Sequence, residues 1–252
     1  MDNTTLEEIV EAEHDMVLAA EEKYGEYFTH AVEMITLLNN LVSSIDRPER
    51  FLFVAFLSHI RKHFTLALLS AVRRHHVQTG MNLRQVLESS AWAAYALAHE
   101  DINLFQVQNE HGHVDVPQRL SDARNNWLDT HYSVKSEEIR RLKKQINKSV
   151  AHTNIAYVFQ TFGLNQQQER PGFTTSYFDT EDDFRIKTDL LMIANFAMGM
   201  IDLFVSINQT ERVFQLSADF VEHFRKLTEK HARRRAEIAS HERFQGLRSQ
   251  TE

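Results

Sequence analysis

Cysteine is missing altogether from the 252 residues, which rules out disulfides and thiol chemistry and leaves a zinc site only histidine and carboxylate ligands. Such a chain fits a reducing, cytoplasmic setting. Proline and glycine are scarce, at 3 and 7 residues, so long segments run without a breaker, and a turn-rich sandwich or barrel is disfavoured. No Walker loop, dinucleotide-binding glycine pattern or serine elbow occurs, and no cofactor or metal is expected. The N-terminal MDNTTLEEIVEAEHD is acidic and lacks the basic-then-apolar layout of a secretory signal, so export is not expected. What remains is a hydrophobic fraction of 42%, ample for a large core. The expected fold is all-α in the main, a single domain over residues 1–252 forming one bundle of about seven or eight helices.

Periodicity and caps divide the chain. TTLEE places Glu three residues after each of Thr4 and Thr5, a capping-box spacing, and apolar residues then recur every seven positions from Val10 to Ile45. This predicts one long helix over about 4–45, kinked at Gly25, whose seam packs on another helix or on a second copy, so that a homodimer is expected. DRPE at 46–49 starts a second helix running to about His76, QTGMN breaks it, and Asn82 with Gln85 caps a third. A short fourth element at 100–110 and a loop at 111–117 precede helices at 118–131 and 135–152. Aromatic and β-branched residues around turn signals predict one small β-hairpin near 155–178. Thr180 with Asp183 caps a long helix to about Asn208, and a basic helix covers about 211–241.

The segment LLMIANFAMGMIDLFVSI at 190–207 approaches membrane-spanning length, but Asn195 and Asp202 interrupt it, and Asp near a bilayer centre costs roughly 2.5–3.5 kcal/mol. A buried helix and no membrane association are expected. Net charge is −7, which argues against indiscriminate nucleic-acid binding. Yet residues 2–33 hold ten acidic side chains and one lysine, whereas 222–248 hold eight Lys or Arg against four Glu. Either two oppositely charged helices attract each other, or KHARRRA forms a phosphate-binding basic tail.

In the third helix Arg84 and Glu88 are the only charges between Leu83 and Ala98. Four residues apart, they share a helical face, with Arg preceding Glu, the weaker orientation for helix stability. They form either a structural ion pair or an arginine that Glu88 aims at a ligand. His59 and His63 also share a face and suit a divalent metal by spacing, but no glutamate follows the first as in HExxH and no third ligand is evident. Glu11 and His14 reproduce one carboxylate–histidine pair of a di-iron bundle without a second copy.

The run LSHIRKHFTLALLSAVRRHHVQTGMNLRQVLESSAWAAYALAHE, followed about fifty residues later by INKSVAHTN, resembles prokaryotic helical proteins of the HEPN superfamily (higher eukaryotes and prokaryotes nucleotide-binding) over roughly residues 50–155. The resemblance implies binding of RNA or a nucleotide, pairing of two copies, and, in catalytic members, metal-independent endoribonuclease activity in prokaryotic defence or toxin systems. The family motif is an arginine, four to six intervening residues and a histidine. Here His152 matches the histidine, while the arginine positions hold Asn147, Ile146 and Gln145, and Lys148 stands closer. None of these motif positions is basic, so the resemblance makes His152 the candidate catalytic histidine and leaves Arg84 to supply the missing cation from a neighbouring helix if the packing brings it there, with Glu88 orienting Arg84 and Asn147 or Lys148 adding a ligand contact. In such chemistry the histidine moves the ribose 2′-hydroxyl or leaving-oxygen proton and the cation stabilises the phosphate. The alternative is a catalytically silent helical interaction or scaffold module, in which His152 caps a helix C-terminus.

Overall fold

The computed structural model describes residues 5–108, 111–149, 162–165, 172–179 and 182–242, with 148–149, 162–165 and 172–175 described by their backbone alone. The protein is all-α in the main. Among the described residues the helices are α1 (Leu6–Leu18), α2 (Ala20–Tyr24), α3 (Glu26–Asn39), α4 (Phe51–Val72), α5 (His76–Ala98), α6 (Gln118–His131), α7 (Ser133–Ser149), α8 (Asp183–Glu211) and α9 (Phe220–Ser240).

The expected rod over 4–45 is three helices. Thr5 closes the capping box, its side chain and that of Glu8 each accepting from the other's backbone N–H; Thr4 lies outside the described residues. A break at Ala19 and Gly25 at φ 53°, a left-handed conformation favouring glycine, then redirect the chain. The helix stops at Asn39, and Ser44–Ile45 is instead a strand, β1. The seven-residue seam accordingly has two fates. Tyr24, Ala31 and Leu38 are buried, α3 packing on α8, whereas Leu6 and Val10 are exposed on α1.

The next two helices also differ from their expected bounds. QTGMN does not break the chain; α5 runs through it, and the turn falls at Arg73–His75, with Arg74 at φ 65°. The backbone N–H of Val77 donates to the Asp179 carboxylate at 2.9 Å, so a distant segment supplies the N-terminal cap that the local sequence lacks. Asn82, expected as a cap, lies inside α5 and turns to α4, where its Oδ1 stands 2.9 Å from His63 Nδ1. In place of the short element expected after α5, a 3-10 turn at Ile102–Leu104 leads into strand β2 (Val107–Gln108), antiparallel to β3 (Val114–Asp115) in the expected loop. The predicted hairpin is β4 (Phe162–Asn165) against β5 (Gly172–Thr175), with Phe162 opposite Thr175.

The long apolar helix α8 is the axis of the bundle, touching α3, α4, α5 and α9. Asp182 caps it; Thr180 lies outside the described residues. By length and composition α8 and Pro48–Val72 are each able to cross a membrane, but more than half of the apolar window of α8 is buried in the bundle. Its Asp202 is answered by Lys135 of α7. At its C-terminus Arg212 adopts the left-handed conformation, and the Asn208 carboxamide accepts from the N–H groups of Val213 and Phe214 and donates to the Phe214 carbonyl. That turn delivers β6 (Phe214–Gln215) to β1, pairing Ile45 with Phe214, whose ring stacks on Phe53 at 5.3 Å.

The opposed charges of the two chain ends do meet. Lys230 of α9 pairs with Glu26 and Glu33 of α3 at 3.0 and 2.9 Å, and Arg234 reaches Glu26 at 3.4 Å. Beneath them His30 and His231, both buried, stand Nε2 to Nδ1 at 3.2 Å. Burial, the neighbouring His231 and the Lys230 and Arg234 charges push His30 down to about 4.

Candidate functional site

Helix α7 is amphipathic, burying Ile139, Leu142 and Ile146 at helical spacing. Lys143 sits on the flank of that stripe, four residues after Ile139, and so meets the charged face of α5. Its Nζ is 2.9 Å from Glu88 Oε1, while Arg84 Nε reaches the same oxygen at 3.3 Å. The Arg84–Glu88 pair is therefore neither an isolated buried pair nor an edge in open solvent. Both side chains are about one-third exposed, at 34% and 35%, and Glu88 with Lys143 lines a cleft between α5, α6 and α7, with Arg84 beside it through Glu88. Burial resists ionisation of Glu88, but hydrogen bonds and charge from Lys143 and Arg84 win and hold its carboxyl below the usual glutamate value.

Helix α6 brings the third cation. Arg124 is buried, 9% exposed, with its guanidinium 4.3 Å over the Trp92 ring and donating to Asn125 Oδ1 at 2.9 Å through Nη2. Among the described residues no carboxylate comes within ion-pair distance of it; burial pushes its pKa down while the Glu88 and Asp122 charges act from farther off. Arg140 of α7 adds a fourth cation, held by Asp129 at 2.8 Å, and Ser136 donates to the same carboxylate. The cleft these residues line encloses about 110 Å³, room for several waters or one phosphate-sized group. Asn147, one turn beyond Lys143, carries a buried carboxamide oxygen with no hydrogen-bond donor.

The structure thus brings together Arg84, Glu88 and the helix bearing Asn147. His152 and the Lys148 side chain lie outside the described residues, so His152 is not placed relative to the cleft. Of the other sequence candidates, His59 and His63 have structural partners, while the Glu11 and His14 side chains make no hydrogen bond or ion pair among the described residues. His59 and His63 stack edge to face at 4.4 Å. Glu13, rather than Glu11, binds His75 at 2.8 Å and Arg73 at 3.7 Å. Among the described residues no group of three or more His, Asp or Glu gathers as a metal site.

Arg124 escaped the sequence reading because nothing in QRLSDARNNWLDTH distinguishes it from Arg119; its role depends on Trp92 of another helix. Lys143 was legible, as the residue next to Leu142 on the apolar stripe. The buried Asp189, 2.8 Å from His76 Nδ1, was also legible, as the acid in the apolar stretch TDLLMIANF. Comparison of the chain with family models, with curated proteins and with solved structures returns no match.

Proposed function

We propose that the chain binds a phosphate-bearing ligand, RNA or a nucleotide, in the cleft between α5, α6 and α7, as its resemblance to HEPN proteins implies. The supporting observation is Arg124. Burying a charge is costly unless an opposite charge and hydrogen bonds repay it, and among the described residues this guanidinium touches a neutral carboxamide oxygen and a ring face but no carboxylate. A phosphate in the cleft completes it by bidentate hydrogen bonds, with Lys143 turning to the same anion from the lining and Arg84 reaching it from beside Glu88. Glu88 then acts as the resident anion that aligns Arg84 and Lys143 and yields them to the ligand. The volume suits one phosphate of a chain held by its end or a single nucleotide phosphate, in keeping with the net acidity of the protein.

The second reading, a catalytically silent interaction module, is favoured by a different observation: Arg84 and Lys143 already share Glu88, and Arg140 has Asp129. Labelled RNA and nucleotides incubated with the full chain in chelator separate the two. Binding that weakens as salt rises, and a salt slope smaller by about one in Lys143→Gln, are expected of phosphate contacts. Loss of affinity in Arg84→Ala is expected with them. If the RNA is also cut, His152→Ala abolishes cutting while leaving binding. No binding by wild type, or unchanged binding in folded Arg84→Ala and Lys143→Gln, sinks the proposal in favour of the silent module.

A further inference from the structure

On the other side of α7, helices α7, α8 and α9 enclose a groove of about 360 Å³. Small-molecule sites typically span ~300–1,000 Å³ and combine an apolar lining with a few placed polar groups. Leu142, Ile146, Met192 and Phe196 supply the apolar part. Arg141 of α7 and Arg235 of α9 stand at its edge, both exposed, and among the described residues neither has a carboxylate within ion-pair distance or a hydrogen bond. One acid, Glu138, shares the lining, so the two arginines leave the rim cationic.

Two further polar groups line this space. His231 is 3% exposed and lines the groove, while its Nδ1 is engaged by His30 Nε2. His30 Nδ1 is buried with no hydrogen-bond partner. An unmatched lone pair is tolerated better in a protein interior than an unmatched N–H, so His30 carries its proton on Nε2 and donates it to His231 Nδ1. The neutral His231 ring then has its own proton on Nε2, for which no acceptor stands among the described residues. The second group is the carboxamide of Asn195, which lines the groove from the middle of the apolar helix α8 and makes no hydrogen bond among the described residues. Half-buried at the groove wall, it offers one acceptor and one donor group to whatever occupies the space.

We infer that this groove binds a small organic anion with an apolar body, its carboxylate or phosphate head held between Arg141 and Arg235, with His231 Nε2–H and the Asn195 carboxamide fixing a polar atom deeper in. The site is separate from the α5–α6–α7 cleft and does not depend on it. Its head group is charge-complementary to the rim, and its body replaces water over the Met192 and Phe196 side chains.

Calorimetric titration of the full chain with octyl phosphate and with octanoate, each below its micelle concentration, tests the site. One equivalent of at least one probe is expected to bind, and the tighter of the two identifies the head group. Inorganic phosphate and octyltrimethylammonium should each bind at least tenfold more weakly, because one lacks the body and the other has the wrong charge. The double variant Arg141→Gln, Arg235→Gln changes only exposed residues and should weaken binding tenfold or more. Ala239→Trp, which fills the groove from another exposed position, should abolish it with both arginines intact. The His231 Cε1–H resonance should move with the same titration, while Lys143→Gln leaves the affinity unchanged. Absence of binding up to millimolar probe, equal binding of the ammonium amphiphile, or unaltered affinity in the double variant overturns the inference.

Discussion

The two sides of helix α7 carry similar charge and handle it in opposite ways. Toward α5 and α6, Lys143 and Arg140 each have a carboxylate, and the space between the helices is narrow, about 110 Å³. Toward α8 and α9, Arg141 and Arg235 have none among the described residues, and the space is about 360 Å³. An exposed arginine without an acid is unremarkable by itself, because water solvates it fully. What marks each side as a site is a buried residue with hydrogen-bonding capacity left over among the described residues: Arg124 on one side and His231 on the other. Glu88 ties α5 to α7 through Lys143 at the lining of the narrow cleft, whereas the ion pair between α7 and α8, Lys135 with Asp202, lies outside the lining of the groove.

The largest effect on this comparison is expected from the residue that seats α7 between both sites. Ile146 is 3% exposed, and Ile146→Ala should cost ~2–5 kcal/mol in urea unfolding and weaken binding on both sides. A cost below ~1 kcal/mol with both affinities intact would show that α7 is positioned by something other than its apolar stripe.

Acid should distinguish the two sides next. His30 is depressed from 6.5 to about 4, so the folded chain keeps it neutral where the unfolded chain takes up a proton. Its contribution is complete above pH 6.5 and is lost as pH falls from 6.5 toward 4, on the order of 2–3 kcal/mol in all. Glu88 is held below the usual glutamate range and keeps its charge through most of that window. Hydrogen exchange at pH 4.5 should therefore show α9 loosening from α3 while α5, α6 and α7 hold, and His30→Leu should flatten the dependence of Tm on pH between 6.5 and 4. Uniform loosening would place the acid-sensitive groups elsewhere.

The smallest effect concerns Glu88. Because the pair is one-third exposed, Glu88→Gln should cost under ~1 kcal/mol. It should also raise affinity for inorganic phosphate, because the competing carboxylate is gone, and phosphate should restore the lost stability. A stability loss that phosphate does not repair would make Glu88 a purely structural partner.

Much of this fold was legible from local signals. Helix α6 occupies the predicted 118–131, the hairpin strands fall within 155–178, and the Thr5–Glu8 capping box stands as the spacing implied. Failures came where a distant group decided the outcome. The N-terminus of α5 is capped by Asp179, a hundred residues away, so the sequence around Gly80 looked like a break when it is helix interior. The heptad pattern over 10–45 read as one rod because periodicity carries the apolar face through Gly25, whereas backbone geometry there depends on a single residue. At the site, periodicity was enough to place Arg84 and Glu88 on one face and Lys143 beside the buried stripe. It was silent on Arg124 and on the His30–His231 contact, each of which joins two elements far apart in the chain.

The central claim is that the incomplete buried cation, rather than the free surface arginines, marks the phosphate site. Equilibrium binding of a labelled RNA oligonucleotide in chelator, compared between Arg124→Gln and the Arg141→Gln, Arg235→Gln double variant, tests it most directly, with circular dichroism verifying that both are folded. Affinity should fall at least tenfold in Arg124→Gln and stay within twofold of wild type in the double variant, since one or two charge-assisted hydrogen bonds are worth roughly 1.5–3 kcal/mol each. The reverse pattern, or RNA binding indifferent to Arg124, would contradict the account.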